Sequence, residues 1–325
     1  MSQNFSLEIH GAGQEIGRSC FVLNAENERY LMDYGVKFTP TDTAYPTPIE
    51  GKLTASILSH AHMDHSGFIP ELYVRNPAPM YMTAPTMELS KMLWADALKI
   101  ATMEELTPPF SPADIERTEK STYAMKYNAP VDISKNARLE FVDAGHILGA
   151  AMVKLNVKEK TFVYSGDYML PKTRLHDGAD ITSLGKVDYL LMESTYGNRM
   201  HPDRDKVEHD FIQLIRETLD RGGHAVVAAF AVGRTQELLD VLFDYGMDAP
   251  VFLDGMSRKA TQIYQQFPQF NAKPKVVNRM LEQLNIVTHQ GIRKQALKEP
   301  SEIVTPAGML EGGPVMHYLK HLHAD

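Results

Sequence analysis

His60, His62, Asp64 and His65 fall within six consecutive residues of the stretch SHAHMDHSG, which begins at Ser59. Neutral imidazole and carboxylate are donors that zinc accepts, at about 2.0–2.2 Å. On an extended chain, residues two apart point to the same side. His60 and His62 therefore face one ion if the strand runs on to His62. A turn or helix start after Met63 swings Asp64 and His65 toward a second position. A histidine-rich surface loop is the plain alternative. The cluster, however, follows the apolar run ASIL and leads into the apolar GFIPELYV, and the end of a strand is where open sheets build sites.

Four residues cannot close two metal positions. His146 in DAGHILGA and Asp167 in VYSGDYML each follow a strand-like run. Each has a glycine beside it that lets the backbone turn. A single His or Asp in a loop is usually a solvated polar residue, but the nearby cluster makes both of them candidate ligands. The remaining histidines lack a partnered motif. His317 and His321 are four apart in VMHYLKHLHAD and can share a helix face, which reads best as a solvated end.

The elements that must carry these residues change character along the chain. SLEIHGAG, SCFVLNA, RYLMDYG, ASILSH, ARLEFVDAGH and VDYLLMEST read as strands, with a hairpin about VKEK. GFIPELYVR reads as a short helix and PTMELSKMLWADALKIATMEE as a longer one, with Thr83 in its capping region. From residue 204 the pattern becomes βαβα, which implies a parallel sheet flanked by helices. The predicted domains are 1–203 and 204–325, with HPDRD as the boundary.

The chain has 325 residues, a formal net charge of −8 and one cysteine, Cys20. That charge argues against a general nucleic-acid coat, but not against an enzyme that meets a phosphodiester in one cleft. A single cysteine excludes an intrachain disulfide and a thiolate zinc site. With no basic-then-apolar start and no run of about 20 apolar residues, a cytoplasmic location off the membrane is expected.

HAHMDHSG, AGHILGA and SGDY in this order, preceded by DYG at 33–35, resemble the metallo-β-lactamase superfamily. ESTYGNR, FAVGRTQELL, LDGMSRKATQIY and TPAGMLEGGP are similar to its β-CASP branch of RNA-processing nucleases. The resemblance implies an α/β fold: an αββα sandwich followed by an incomplete parallel-sheet α/β second domain. It implies that His60, His62 and His146 hold a first zinc, that Asp64 and His65 hold a second, and that Asp167 bridges them. Asp33 would orient ligands. Asp64 and Glu193 would join Asp33 as catalytic groups, although a strand-end carboxylate capping a helix also explains Glu193. Arg234, Arg258 and Gly308 would contact substrate; a structural arginine pairing across the domains explains Arg234 equally well.

The activity implied is zinc-dependent hydrolysis of single-stranded RNA by a hydroxide shared between two metals. Relatives of this kind continue past the TPAGMLEGGP segment with two further histidines, and a homodimer is expected of such a full-length form. On the resemblance this sequence reads as truncated, with its second zinc position incomplete. Two other functions compete: a thioester or lactone hydrolase of the same superfamily, which the segment after residue 204 disfavours, and an inactive RNA-binding scaffold, which the six retained ligand residues disfavour.

Overall fold

The computed structural model describes residues 5–39, 42–246, 249–306 and 312–322. It divides into two compact units, Met1–Lys172 with Gly178–Thr195, and Thr173–Asp177 with Tyr196–Asp325.

The first unit is built on two sheets. The six-stranded sheet runs in the order Phe5–Gly11, Cys20–Ala25, Glu28–Met32, Ala55–Ile57, Met80–Thr83, Thr122–Met125. Its first three strands pair antiparallel and the rest join in parallel. The five-stranded sheet runs Tyr189–Leu191, Lys160–Tyr164, Ala151–Val157, Ala137–Asp143, Val131–Asp132. The hairpin expected about VKEK joins Ala151–Val157 to Lys160–Tyr164, with Val157 opposite Lys160.

Side chains alternate across a strand, and the core shows it. Phe21, Leu23, Tyr30, Met32 and Ile57 pack with Leu139, Phe141, Val153, Leu155 and Phe162 of the other sheet. Their neighbours Val22, Leu31 and Leu58 face the opposite way, against Leu72, Met87 and Trp94. One sheet therefore buries both faces, one against a sheet and one against helices. The largest of these helices, Ala84–Met103, starts where the sequence places it: the Thr83 hydroxyl accepts from the Thr86 N–H. GFIPELYVR forms a 3-10 turn, Ile69–Glu71, and a single helical turn, Leu72–Arg75. Trp94 is fully buried and donates its indole N–H to the Ser66 carbonyl at 2.9 Å, which anchors the turn carrying the histidine cluster.

The second unit has four parallel strands in the order Ala225–Ala228, Glu302–Thr305, Val251–Leu253, Asn285–Ile286. The helices Arg204–Asp220, Arg234–Tyr245, Ser257–Gln266 and Pro274–Gln283 alternate with them. The segment Thr173–Asp177 belongs to this unit. Arg174 pairs there with Glu208 at 2.5 Å and with Asp244 at 2.9 Å, and Leu175 donates its N–H to Glu237. Among the described residues no helix is long and apolar enough to cross a membrane.

Candidate metal centre

The strand Ala55–Ile57 ends before the cluster, so His60 and His62 do not lie on an extended strand as the spacing suggests. They sit in the loop between that strand and a short helix, Met63–Ser66. The loop still gathers them: the His60 and His62 ring centroids lie 5.0 Å apart, and the His146 ring is 5.0 Å from each. As expected, a helix starts at Met63. It carries Asp64 and sets the His65 ring 4.2 Å from the His60 ring, with His65 Nε2 facing Asp64.

His146 comes from the loop after Ala137–Asp143, and Asp167 from the loop after Lys160–Tyr164. The site thus forms where the ends of both sheets meet. His146 Nε2 stands 3.2 Å from His62 Nδ1 and 3.7 Å from Asp167 Oδ2. His60 Nε2 is 3.9 Å from the same carboxylate oxygen. The other oxygen, Asp167 Oδ1, is 3.2 Å from His65 Nε2, which lies 3.7 Å from Asp64 Oδ2. Two donor sets result, His60/His62/His146/Asp167 and Asp64/His65/Asp167, each with its donor atoms within 4.8 Å of one another. Four donors at about 2.0–2.1 Å from one tetrahedral ion would lie about 3.3 Å apart, close to the spacing here.

The residues fit a divalent metal on a further ground. His60 Nε2 is buried without a hydrogen-bond partner. A buried polar atom normally has one, and a metal ion is the partner a bare imidazole nitrogen can take. Electrostatics agree. Burial, then the neighbouring His65, pushes the pKa of His60 well below its usual value, which keeps the ring neutral. For Asp167 burial alone would raise the pKa, but His65 first, then His60 and His146, hold it well below the carboxylate range. Burial opposes charge on His65 too, yet Asp64, Asp167 and Asp33 raise its pKa well above the ordinary value. The carboxylates here attract positive charge into a buried site.

Asp33 is fully buried and belongs to neither donor set. Its Oδ1 accepts from the Ser59 N–H, and its Oδ2 lies 2.7 Å from each of the Ser59 hydroxyl, the Tyr164 hydroxyl and His65 Nδ1. With its Nδ1–H donated to Asp33, His65 presents Nε2 to Asp64 and Asp167. Ser59 and Tyr164 were not singled out by the sequence. Tyr164 lies three residues before Asp167, at the end of the same strand, and that proximity was the available signal. Glu193 accepts from the Tyr168 N–H at 3.1 Å, so it braces the loop next to Asp167.

Gly35 explains the glycine of DYG. A Cβ there would lie 1.7 Å from the Asp64 carbonyl oxygen. The flanking N–H groups of Tyr34 and Val36 donate to His65 and Met63. Gly35→Ala should therefore displace the Asp64 backbone and weaken divalent-metal binding by about 10–100-fold, the cost of disturbing the groups that hold ligands in place. Isothermal titration of the metal-free variant checks this.

In the second unit Arg234 is the first residue of the helix Arg234–Tyr245 and is exposed. It has no ion pair among the described residues. Arg258 donates its Nε–H to the Gly255 carbonyl at 2.9 Å. Gly308 lies outside the described residues.

A family model described as "Metallo-beta-lactamase superfamily domain" matches residues 22–196, and one described as "Beta-Casp domain" matches residues 235–325. "Probable RNase MJ4" of Methanocaldococcus jannaschii is 38% identical over 321 residues, covering 96% of this chain and 74% of that protein. "RNase aCSPSF2" of Saccharolobus solfataricus is 34% identical, covering 98% of this chain and 65% of that one. "Transcription termination factor FttA" of Methanocaldococcus jannaschii is 35% identical, and this chain covers 53% of its length. The chain thus spans between about half and three quarters of these relatives. A crystal structure titled as a protein of unknown function from Enterococcus faecalis V583 superposes with a TM-score of 0.61 at 14% identity, covering 94% of this chain and 77% of that one, a likeness of fold. Since the superfamily match spans more than half of the chain and the relatives align along nearly all of it, the protein belongs to the metallo-beta-lactamase superfamily and carries a Beta-Casp domain.

Proposed function

We propose that this protein is a zinc-dependent ribonuclease that hydrolyses phosphodiester bonds of single-stranded RNA in RNA processing or decay. The observation that carries the reading is Asp167, whose two oxygens each face a different donor set. The names of the relatives as RNases support the choice of substrate.

His60, His62 and His146 would hold one ion, Asp64 and His65 the other, and Asp167 both. Two divalent ions, when bound, supply Lewis acidity at a phosphoryl oxygen and lower the pKa of water. The chain's own residues do the rest. Asp33 fixes the His65 ring through Nδ1. Glu193 holds the loop at Tyr168, next to Asp167 in the chain, and would move a proton during cleavage. Arg234 would meet a phosphate of the strand, and Arg258 and Gly308 are further candidates for substrate contact. With a net charge of −8, such basic contacts must act locally.

The test uses chelator-treated protein and a 5′-labelled single-stranded RNA. No cleavage is expected without metal, and cleavage to products with 5′-phosphate and 3′-hydroxyl ends is expected once zinc is restored, with a duplex RNA of the same sequence resistant. Thioester turnover without RNA cleavage would overturn the reading in favour of a small-molecule hydrolase. Arg234→Ala should weaken RNA binding regardless of sequence and flatten the plot of log affinity against log salt by about 0.7, the share of one phosphate contact on a single strand. An unchanged slope would remove Arg234 from the interface.

A further inference from the structure

The Ser59 hydroxyl stands between Asp33 and His60. Its Oγ lies 2.7 Å from Asp33 Oδ2 and 3.1 Å from His60 Nδ1. A serine hydroxyl has one proton and two lone pairs. The proton goes to the Asp33 carboxylate, so the face turned to His60 is a lone pair. His60 Nδ1 must then carry the ring hydrogen, which leaves Nε2 bare. Nε2 is the buried atom without a hydrogen-bond partner, 3.9 Å from Asp167 Oδ2.

The packing keeps water from breaking this chain. Ser59 is 1% exposed and His60 0%. Gly166, at φ +54°, closes over Ser59: a Cβ there would come within 2.8 Å of the Ser59 Cβ and 2.9 Å of its Oγ. The loop that ends in Asp167 therefore covers the hydroxyl and has no room for a side chain.

We propose that Ser59 is a positioning residue that relays the orienting effect of Asp33 to His60. One buried carboxylate then sets the donor nitrogen of a ligand in each set, His65 directly and His60 through the serine hydroxyl. The proposal rests on the metal-binding part of the function proposed above, but its first readout needs no metal.

In ¹⁵N-labelled, metal-free protein near neutral pH, long-range ¹H–¹⁵N correlation of the histidine rings reads the tautomer. His60 should be the Nδ1–H form. An Nε2–H form in the unaltered protein would overturn the relay without any variant. Ser59→Ala should lose the single Nδ1–H form and bind zinc about 10–100-fold more weakly at the His60 position, the usual cost of losing a group that orients a ligand. That position is isolated by titrating zinc into the His65→Ala background. Tyr164→Phe removes a donor to Asp33 but leaves the Ser59–His60 contact, so it should keep the Nδ1–H form. Ser59→Ala with an unchanged tautomer and zinc affinity within twofold would also overturn the proposal. If zinc binds nowhere while His60 still shows the Nδ1–H form, the proposed function fails and the relay stands.

Discussion

Asp167→Ala should abolish RNA cleavage and reduce zinc binding at both positions together. The reason is the division of labour between its oxygens. Oδ1 stands 3.2 Å from His65 Nε2, and Oδ2 stands 3.7 and 3.9 Å from His146 and His60 Nε2. No other described residue belongs to both donor sets. Loss of a group that only orients a ligand costs about 10–100-fold in affinity or activity. Loss of a shared ligand should exceed that, so a fall of more than about 100-fold is expected. His62→Ala, which touches one set only, should also stop cleavage yet leave zinc binding at the Asp64/His65 position. Metal content by mass spectrometry and cleavage of labelled RNA separate the two variants. Undiminished cleavage by Asp167→Ala would sink the two-metal account.

Asp33→Ala should damage both stability and metal binding. The carboxylate is fully buried and is the common partner of the Ser59 N–H, the Ser59 and Tyr164 hydroxyls and His65 Nδ1. Removing it strands several buried donors, each worth about 1–3 kcal/mol when unsatisfied. Partial relaxation limits the sum, so a loss of about 3–5 kcal/mol in unfolding free energy is expected, typical of removing one partner from a buried polar pair. Asp33 also sits at φ +59°, a left-handed conformation that Asp and Asn tolerate better than Ala. Asp33→Asn should therefore unfold less readily while still losing the His65 contact and zinc affinity. Denaturant unfolding of the metal-free proteins and zinc titration read these two effects apart. Equal stability of Asp33→Ala and the unaltered protein would contradict the placement of this carboxylate.

The candidate ligand residues stand out in the sequence because their types announce the chemistry. Four donors in six positions, plus a His and an Asp each at a strand end beside glycine, are rare enough to stand out. The geometry that joins them was not legible in the same way. His60 and His62 were expected to share one side of a strand, but the strand stops at Ile57 and a loop does the gathering. Ser59 and Tyr164 are residues of ordinary type whose roles depend on two sheets meeting, which no local pattern encodes. Gly35 and Gly166 matter for the neighbours a Cβ would strike, again a property of the packed structure.

The fold divides similarly. Strands such as Cys20–Ala25 and Glu28–Met32 alternate between two buried faces and are readable from their apolar runs. The helix Pro112–Lys120 is polar, and only its capping pair, Ser111 with Asp114, marks it. The strand Glu302–Thr305 lies in the middle of a parallel sheet with Glu302 buried, so its sequence lacks the alternation by which half-exposed strands are recognised.

These two donor sets are expected to bind divalent metal, and RNA cleavage is expected to depend on it. The most direct measurement is anomalous diffraction at the zinc edge from crystals of the zinc-loaded protein. Anomalous density is expected beside His60, His62, His146 and Asp167, with a second peak at Asp64, His65 and Asp167. Zinc bound elsewhere, with both sets empty in protein that still cleaves RNA, would contradict it.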